Sequence, residues 1–327
     1  MKNKLRFMTF LVLALMLGFS GFSSAAEYPT KPIECLLPWG PASTSAISVK
    51  VVMDAASKVL GKPILLVPAG GAGGTIAGKR CASAKPDGYT ILATNSATNG
   101  TAIYTRKDVP YKNSDFEFLA LYSTQELGLI VKKDAPYKTL EEFIEYAKKN
   151  YIKAAYQGVG TGQHICFELL KLKTGGMKID YIPVISAFDL RTSVIGGHAD
   201  ASIIMGGSGG SGDEFRQAIE GGARILAVAS NKRLKPYPDV PTYVEKGLDV
   251  VYRAWVGIVA PKGMPKEISE KLKNVLYQVL RDPEVIKAVI QLGYGFEFLN
   301  SEEFTKYAEE FGNLIKRVVE EAKIEPI

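Results

Sequence analysis

Residues 67–80 read V-P-A-G-G-A-G-G-T-I-A-G-K-R, and the fold turns on whether this stretch is the phosphate cradle of an ATPase. Gly73, Gly78 and Lys79 fill the first seven positions of G-x-x-x-x-G-K-[ST], in which backbone N–H groups wrap a phosphate chain, and the apolar run at residues 64–67 supplies a strand before it. The eighth position is Arg80. The pattern needs a hydroxyl there to hold magnesium, and a guanidinium offers no oxygen to a cation. What remains is a strand, a glycine loop and a helix, the repeating unit of an open α/β sheet.

That rhythm extends outward. From residue 33 short β-rich runs alternate with helical ones: a strand at 33–37, a polar loop, a helix over 47–60, a strand at 64–67, the glycine loop, a helix to about residue 84, and a strand at 90–93. The alternation predicts parallel strands with crossover helices. The middle third repeats it. Thr139 and Glu142 form a capping box, and Leu140, Phe143, Ile144 and Ala147 fall on one face of the helix behind them. A strand at 153–156, a polar loop, a helix from about Gln163 and a strand at 179–183 follow. Beyond a strand at 255–260 the chain is helical. Pro265 opens a helix with Ile268, Leu272, Val275, Leu276 and Val279 on one stripe, Asp282 and Pro283 start the next, and Ser301 is expected to cap a last one with Phe304, Ala308, Phe311, Ile315 and Val318 inward.

At the start, Lys2, Lys4 and Arg6 precede an apolar run at residues 8–19 and then the small residues Ser24, Ala25 and Ala26, the order of a secretory signal peptide. Cleavage near Ala26 is expected, with export to a compartment where ATP is scarce. The remainder is long enough for two domains, hence for a cleft between them. Removing Lys2, Lys4 and Arg6 lowers the 40 basic residues to 37 against 34 acidic ones, so a formal +6 becomes +3. No basic run with interleaved aromatics points to nucleic acid. Cys35, Cys81 and Cys166 allow at most one internal disulfide, and buried free thiols are expected. His164 and His198 have no second ligand at metal spacing, so no metal site or cofactor is expected.

Gly206-Gly-Ser208-Gly-Gly210 matches the G-x-S-x-G elbow of secreted esterases. That fold places its base histidine after the serine, whereas both histidines here precede Ser208, so a serine hydrolase is only an alternative reading. More informative are the polar loops after the strands: residues 39–45, 69–75, 94–98 and 157–163, each rich in Gly, Ser, Thr or Asn and each opening a helix. Such loops gather at the carboxyl ends of parallel strands, where ligands bind. Free N–H groups at helix N-termini favour an anion, each terminus contributing about 0.3–1 kcal/mol when exposed and up to about 2 when partly buried.

Several blocks carry a resemblance: Y-P-x-K-P-I at 28–33 leading to L-P-W-G-P, then P-A-G-G-A-G-G-T-I, A-K-P-D-G-Y-T at 84–90, G-x-G-T-x-x-H at 158–164, I-G-G-x-A-D at 195–200, Y-P-D-V-P-T at 237–242 and W-V-G-I-V-A-P-K-G-M-P at 255–265. In this order they resemble the extracytoplasmic solute receptors of tripartite tricarboxylate transporters, the Bug family. The resemblance implies a type II periplasmic binding protein fold: two α/β domains with crossing hinge strands, residues 27–125 with 236–327 as domain 1 and 126–235 as domain 2. It implies a non-catalytic periplasmic receptor, a monomer, that captures a small organic carboxylate between the domains and delivers it to membrane subunits. A partner that reports ligand occupancy to a membrane kinase is a further alternative.

By the same resemblance the ligand-binding candidates are Trp39, Ser43, Thr44 and Ser45 in the first loop, Thr94, Asn95 and Ser96 after the third strand, Gly160, Thr161 and Gln163 in the second domain, and Ser186. Arg191 and Arg253 are candidate second anchors because arginine pairs bidentately with carboxylate. The family pattern P-F-x-P-G-G-x-x-D is altered here, with Ala42 and Ser43 for its glycines and Ala46 for its acid. Its P-Y-K-G is Pro183-Val184-Ile185-Ser186, and a common loop asparagine is Val159. These changes point to a distal ligand group smaller or less polar than that of a di- or tricarboxylate.

Overall fold

In two parts of the sheet the short apolar runs bounded by turn residues become strands paired in parallel with their neighbours. In the computed structural model, which describes residues 28–40 and 43–327, β1 (Ile33–Leu37) lies between β2 (Ile64–Pro68) and β3 (Thr90–Asn95), parallel to both. The crossovers are α1 (Thr44–Leu60) and α2 (Thr75–Ala82). After the one-turn α3 (Ala102–Thr105) and a long strand described below, α4 (Leu140–Lys149) leads into a second parallel set. There β5 (Ile152–Tyr156) lies between β6 (Ile179–Pro183) and β7 (Ala201–Gly206), crossed by α5 (Gly162–Thr174) and α6 (Ala187–Ile195). The leader expected over residues 1–26 lies outside the described residues, as do Pro41 and Ala42 of the first loop.

The middle of the sheet is antiparallel, where the fold expected from the resemblance has its crossing strands. β4 (Phe116–Lys132) runs for 17 residues and β9 (Arg253–Pro261) for 9, and β9 is antiparallel to both β3 and β4. The sheet order is β2-β1-β3-β9-β4-β7-β5-β6, with β8 (Ala223–Val228) and β10 (Gly295–Leu299) also paired to β4. Two parallel wings are therefore joined through an antiparallel pair. Residues 31–327 form one compact unit; of the other unit, Met1–Thr30, only residues 28–30 are described.

Three helices close the C-terminal part, α8 (Lys266–Val279), α9 (Pro283–Gln291) and α10 (Ser301–Glu321), with the short α7 (Glu214–Glu220) between β7 and β8. The stripe Phe304, Ala308, Phe311, Ile315 and Val318 is buried as its spacing predicts. The cap of α10 is Asn300, one residue before the Ser301 expected: its side chain accepts from the N–H groups of Glu302 and Glu303 at 3.0 and 3.1 Å. The Ser301 hydroxyl donates instead to the carbonyl of Phe118 on β4. Phe304 meets Phe118 and Trp255 edge-on at 4.9 and 5.2 Å, locking α10 over the β9–β4 pair. All three cysteines are free and buried, and burial pushes the thiols of Cys35 and Cys166 up to about 12.

Candidate ligand cavity

The polar loops at the strand ends open on one cavity of about 600 Å³ between the wings. Trp39, Ser43, Thr44 and Ser45 line it from the first loop, Asn95 and Ser96 from the end of β3, and Thr161 and Gln163 from the start of α5. The glycine loop contributes Gly71, Gly73 and Gly74. Three of the expected residues lie just behind the wall. Thr94 is buried and its hydroxyl donates to Asn99. Gly160 has φ +78°, a left-handed conformation that suits glycine, and its N–H donates to Nδ1 of His164 at 3.3 Å. Ser186 caps α6 in a reciprocal box with Asp189, and its neighbour Ala187 reaches the cavity.

How the helix starts are satisfied separates them into two kinds. Ser43 caps α1 by accepting from Ala46 N–H at 3.2 Å and donates to the Gly40 carbonyl at 2.8 Å, so its hydroxyl is committed to the turn. The starts of α4, α9 and α10 are likewise capped by Thr139, Asp282 and Asn300. At α2 and α5, which open on the cavity through Gly74 and Thr161, no side chain caps the first turn; α8, which follows Pro265 and lies off the cavity, also has no side-chain cap. The Thr161 hydroxyl turns back to the Gly158 carbonyl at 2.8 Å instead. Uncapped first-turn N–H groups carry the positive end of the helix dipole.

Two further residues of the wall carry polar atoms that are themselves buried behind it. Trp255 on β9 and Thr98 in the π-helical turn Ala97–Thr101 both line the cavity and are each 1% exposed. Neither the indole N–H of Trp255 nor the hydroxyl of Thr98 has a hydrogen-bond partner among the described residues. The backbone around Thr98 is fixed independently: its N–H donates to Asn95 Oδ1 at 2.8 Å, and its carbonyl accepts from the Tyr111 hydroxyl at 2.7 Å.

The floor is the middle of β4. Ser123 and Gln125 line the cavity and donate to the carbonyls of Gly295 and Gly293 at 2.8 and 3.2 Å. Tyr294, between them in sequence, shares a 2.6 Å hydrogen bond with Ser45. Gln163 donates to Gln157 at 3.1 Å, and Gln157 to the Ile185 carbonyl at 3.2 Å.

The charged side chains fall elsewhere, with one exception. Arg253 does not line the cavity; it pairs with Glu126 at 2.9 Å and Glu297 at 2.5 Å, tying β9 to β4 and β10. Arg191 lies over the Phe188 ring at 5.5 Å and is also outside the wall. Glu214, at the start of α7, is the one carboxyl that lines the cavity among the described residues. Desolvation pushes it up to about 7; the nearby Arg191 opposes that rise and Asp213 adds to it.

The glycine tract before α7 packs tightly, which explains its composition better than flexibility does. A Cβ on Gly210 would collide with the carbonyl of Ile290, and one on Gly212 would lie 2.6 Å from that of Leu292. Ser208 Oγ accepts from Gly210 N–H at 3.1 Å, and neither histidine is hydrogen-bonded to it among the described residues.

The sequence that folds this way matches the tripartite tricarboxylate transporter family receptor (TctC) over residues 48–324. The chain belongs to that family. A UPF0065 protein of Agrobacterium vitis is 30% identical over 293 residues, covering 88% of this chain and 82% of the relative. The solved structure of the periplasmic binding protein BugD is 27% identical, covers 91% of this chain and 99% of its own, and superposes with a TM-score of 0.74. A structure of R. palustris Rpa4515 with adipate shares the fold, with a TM-score of 0.78 at 21% identity over 92% of this chain and 100% of that one. The TctC family is one of solute-binding receptors, and the fold of this member is that of periplasmic solute-binding proteins.

Within this TctC-family receptor, sequence reading missed Trp255, Glu214 and Tyr294, and reached Thr98 only as the end of the 94–98 loop. Trp255 and Thr98 sit at a strand and a turn whose polar atoms look ordinary until the burial is known. Glu214 follows the capping residue Asp213 and reads as a first-turn acid of a surface helix. Of the residues that replace family ones, Ile185 is almost fully exposed and Val159 packs against the core, and neither lines the cavity.

Proposed function

We propose that this TctC-family receptor works outside the cytoplasm, captures a small organic carboxylate in the cavity and presents it to the membrane subunits of a tripartite tricarboxylate-type transporter. The observation that carries the reading is the uncapped starts of α2 and α5, which open on one cavity lined by small polar side chains. Such donors replace the water around a carboxylate without a counter-ion. Trp39, Ser45, Asn95, Ser96, Thr161 and Gln163 supply the remaining polar contacts. The two wings act as the domains, 27–125 with 236–327 and 126–235, closing about β4 and β9 because only a bound ligand gains contacts from both. BugD is described as a periplasmic binding protein, which supports the same compartment here and removal of the leader near Ala26.

The test is release of co-purifying ligand by mild denaturation with mass spectrometry, then a thermal-shift screen of mono- and dicarboxylic acids. A ligand at a hundredfold excess over its Kd raises stability by about 2.7 kcal/mol. The expected result is stabilisation by at least one acid, lost when its carboxylate is replaced by an amide. Stabilisation only by uncharged or purely cationic solutes would overturn the reading.

A further inference from the structure

The cavity is unusual in its charge. Among the described residues that line it there is no lysine, arginine or histidine, and there is one carboxyl, Glu214. That carboxyl makes no hydrogen bond or ion pair with any described residue. The groups that face it are Arg191 from α6, the adjacent Asp213, and Tyr294 from the turn between α9 and β10. Arg191 stays beyond ion-pair distance, and Asp213 is occupied by the N–H groups of Gly207, Gly209 and Phe215 and by the Tyr237 hydroxyl. Elsewhere on the wall stand donors that suit an anion. One cavity thus holds an anion-binding face made of neutral donors and a single unpaired acid.

Resting on the receptor reading above, we propose that the cavity selects a carboxylic acid that also carries a protonated amine, with the carboxylate on the neutral donors and the ammonium on Glu214. A second ligand carboxylate beside Glu214 would set like charges together in a site with no cation in its wall. An ammonium does the opposite. It supplies the partner the side chain lacks and favours its ionised form, and Tyr294, bonded to Ser45, is placed to support the same end of the ligand. The raised affinity of Glu214 for a proton in the empty cavity is consistent with an acid desolvated in advance of a cation.

The experiment is isothermal titration calorimetry of the purified protein, stripped of ligand, at pH 7 in phosphate and in Tris. The probes are L-alanine, L-leucine and L-phenylalanine beside propanoate, 4-methylpentanoate and 3-phenylpropanoate, with succinate as the dianion. At least one amino acid should bind about tenfold or more tightly than its des-amino partner, as a hydrogen bond to a charged group warrants. Binding should release protons, because burial raises the pKa of Glu214 and an ammonium beside it would favour the ionised form. Glu214→Gln should abolish both the preference and the proton release. The proton count of the wild-type protein tests the proposal even if the variant folds poorly. If the des-amino acids or succinate bind as well as the amino acids, with no proton released, the assignment of Glu214 is wrong while the carboxylate reading survives. If no amino acid binds, the assignment of Glu214 is wrong, and the carboxylate reading falls with it only if the wider screen of acids also finds no ligand.

Discussion

Replacing Thr98 by valine tests the central physical idea, that the cavity wall holds donors which the protein itself leaves unused. Thr98 is buried, its hydroxyl is unpartnered, and both backbone bonds that hold its turn are independent of the side chain. Valine keeps the branched shape and removes the hydroxyl. An unsatisfied buried polar group costs about 1–3 kcal/mol, so Thr98→Val should make the unliganded protein more stable by about that amount. With an unfolding entropy of about 2.1 cal/mol/K per residue over a chain this long, the Tm should rise by roughly 2–5 °C. Binding should move the other way. If the hydroxyl donates to a carboxylate, its loss removes about 1.5–3 kcal/mol, or roughly a tenfold to hundredfold rise in Kd. Scanning calorimetry without ligand and titration with the best-binding acid measure the two effects separately. Opposite signs are the diagnostic feature, because an ordinary packing defect lowers stability and a surface change does neither. A Tm below that of the wild-type protein, or an unchanged Kd, would refute the argument by showing that the hydroxyl already has a partner or faces no ligand.

Two further expectations follow from charge. Arg253→Met should destabilise the fold by about 1–3 kcal/mol in urea unfolding, because it leaves the buried Glu126 without its partner, yet should change carboxylate affinity less than about twofold because Arg253 is outside the wall; a large affinity loss would restore Arg253 as an anchor. For Glu214 the folded protein holds its proton up to about pH 7, whereas the unfolded chain releases it near 4.5. Between those values the native state binds more protons than the unfolded one, so this group's contribution to stability falls as pH rises through the window. Glu214→Gln should flatten that part of the pH–stability curve, and identical curves for variant and wild type would contradict the raised affinity for protons.

The strands of the two wings were legible because each is a short apolar run closed by turn residues, and β1 and β6 begin and end where the sequence places them. β4 was not. Its 17 residues include Ser123-Thr-Gln-Glu126, a polar run that reads as a loop between two shorter apolar segments. That run is where the strand passes beneath the cavity and meets Arg253, Glu297 and the carbonyls of Gly293 and Gly295. The feature that hides the strand is the one that makes it a floor. The first half of the site was similarly legible, since loops of small polar residues before helices have few other uses at the ends of parallel strands. Trp255, Glu214 and Tyr294 were not, because each reaches the cavity from a different part of the chain, and only the β9–β4 crossing brings them together.

In the receptor proposed above, that crossing also explains how an anion site does without arginine. An arginine facing an open cleft must be paired or hydrated before the ligand arrives, and a ligand carboxylate then competes with that partner. Here Arg253 is bound to Glu126 and Glu297 and helps fix the strands that join the two wings. The work of meeting a carboxylate falls to N–H groups whose orientation is set by the helices that carry them, so they need no reorganisation when the ligand enters. A cavity built this way is permissive toward the anion and leaves discrimination to whatever stands opposite. In this chain that is Glu214, which is why a single carboxyl at the start of a seven-residue helix is expected to decide which acids are carried.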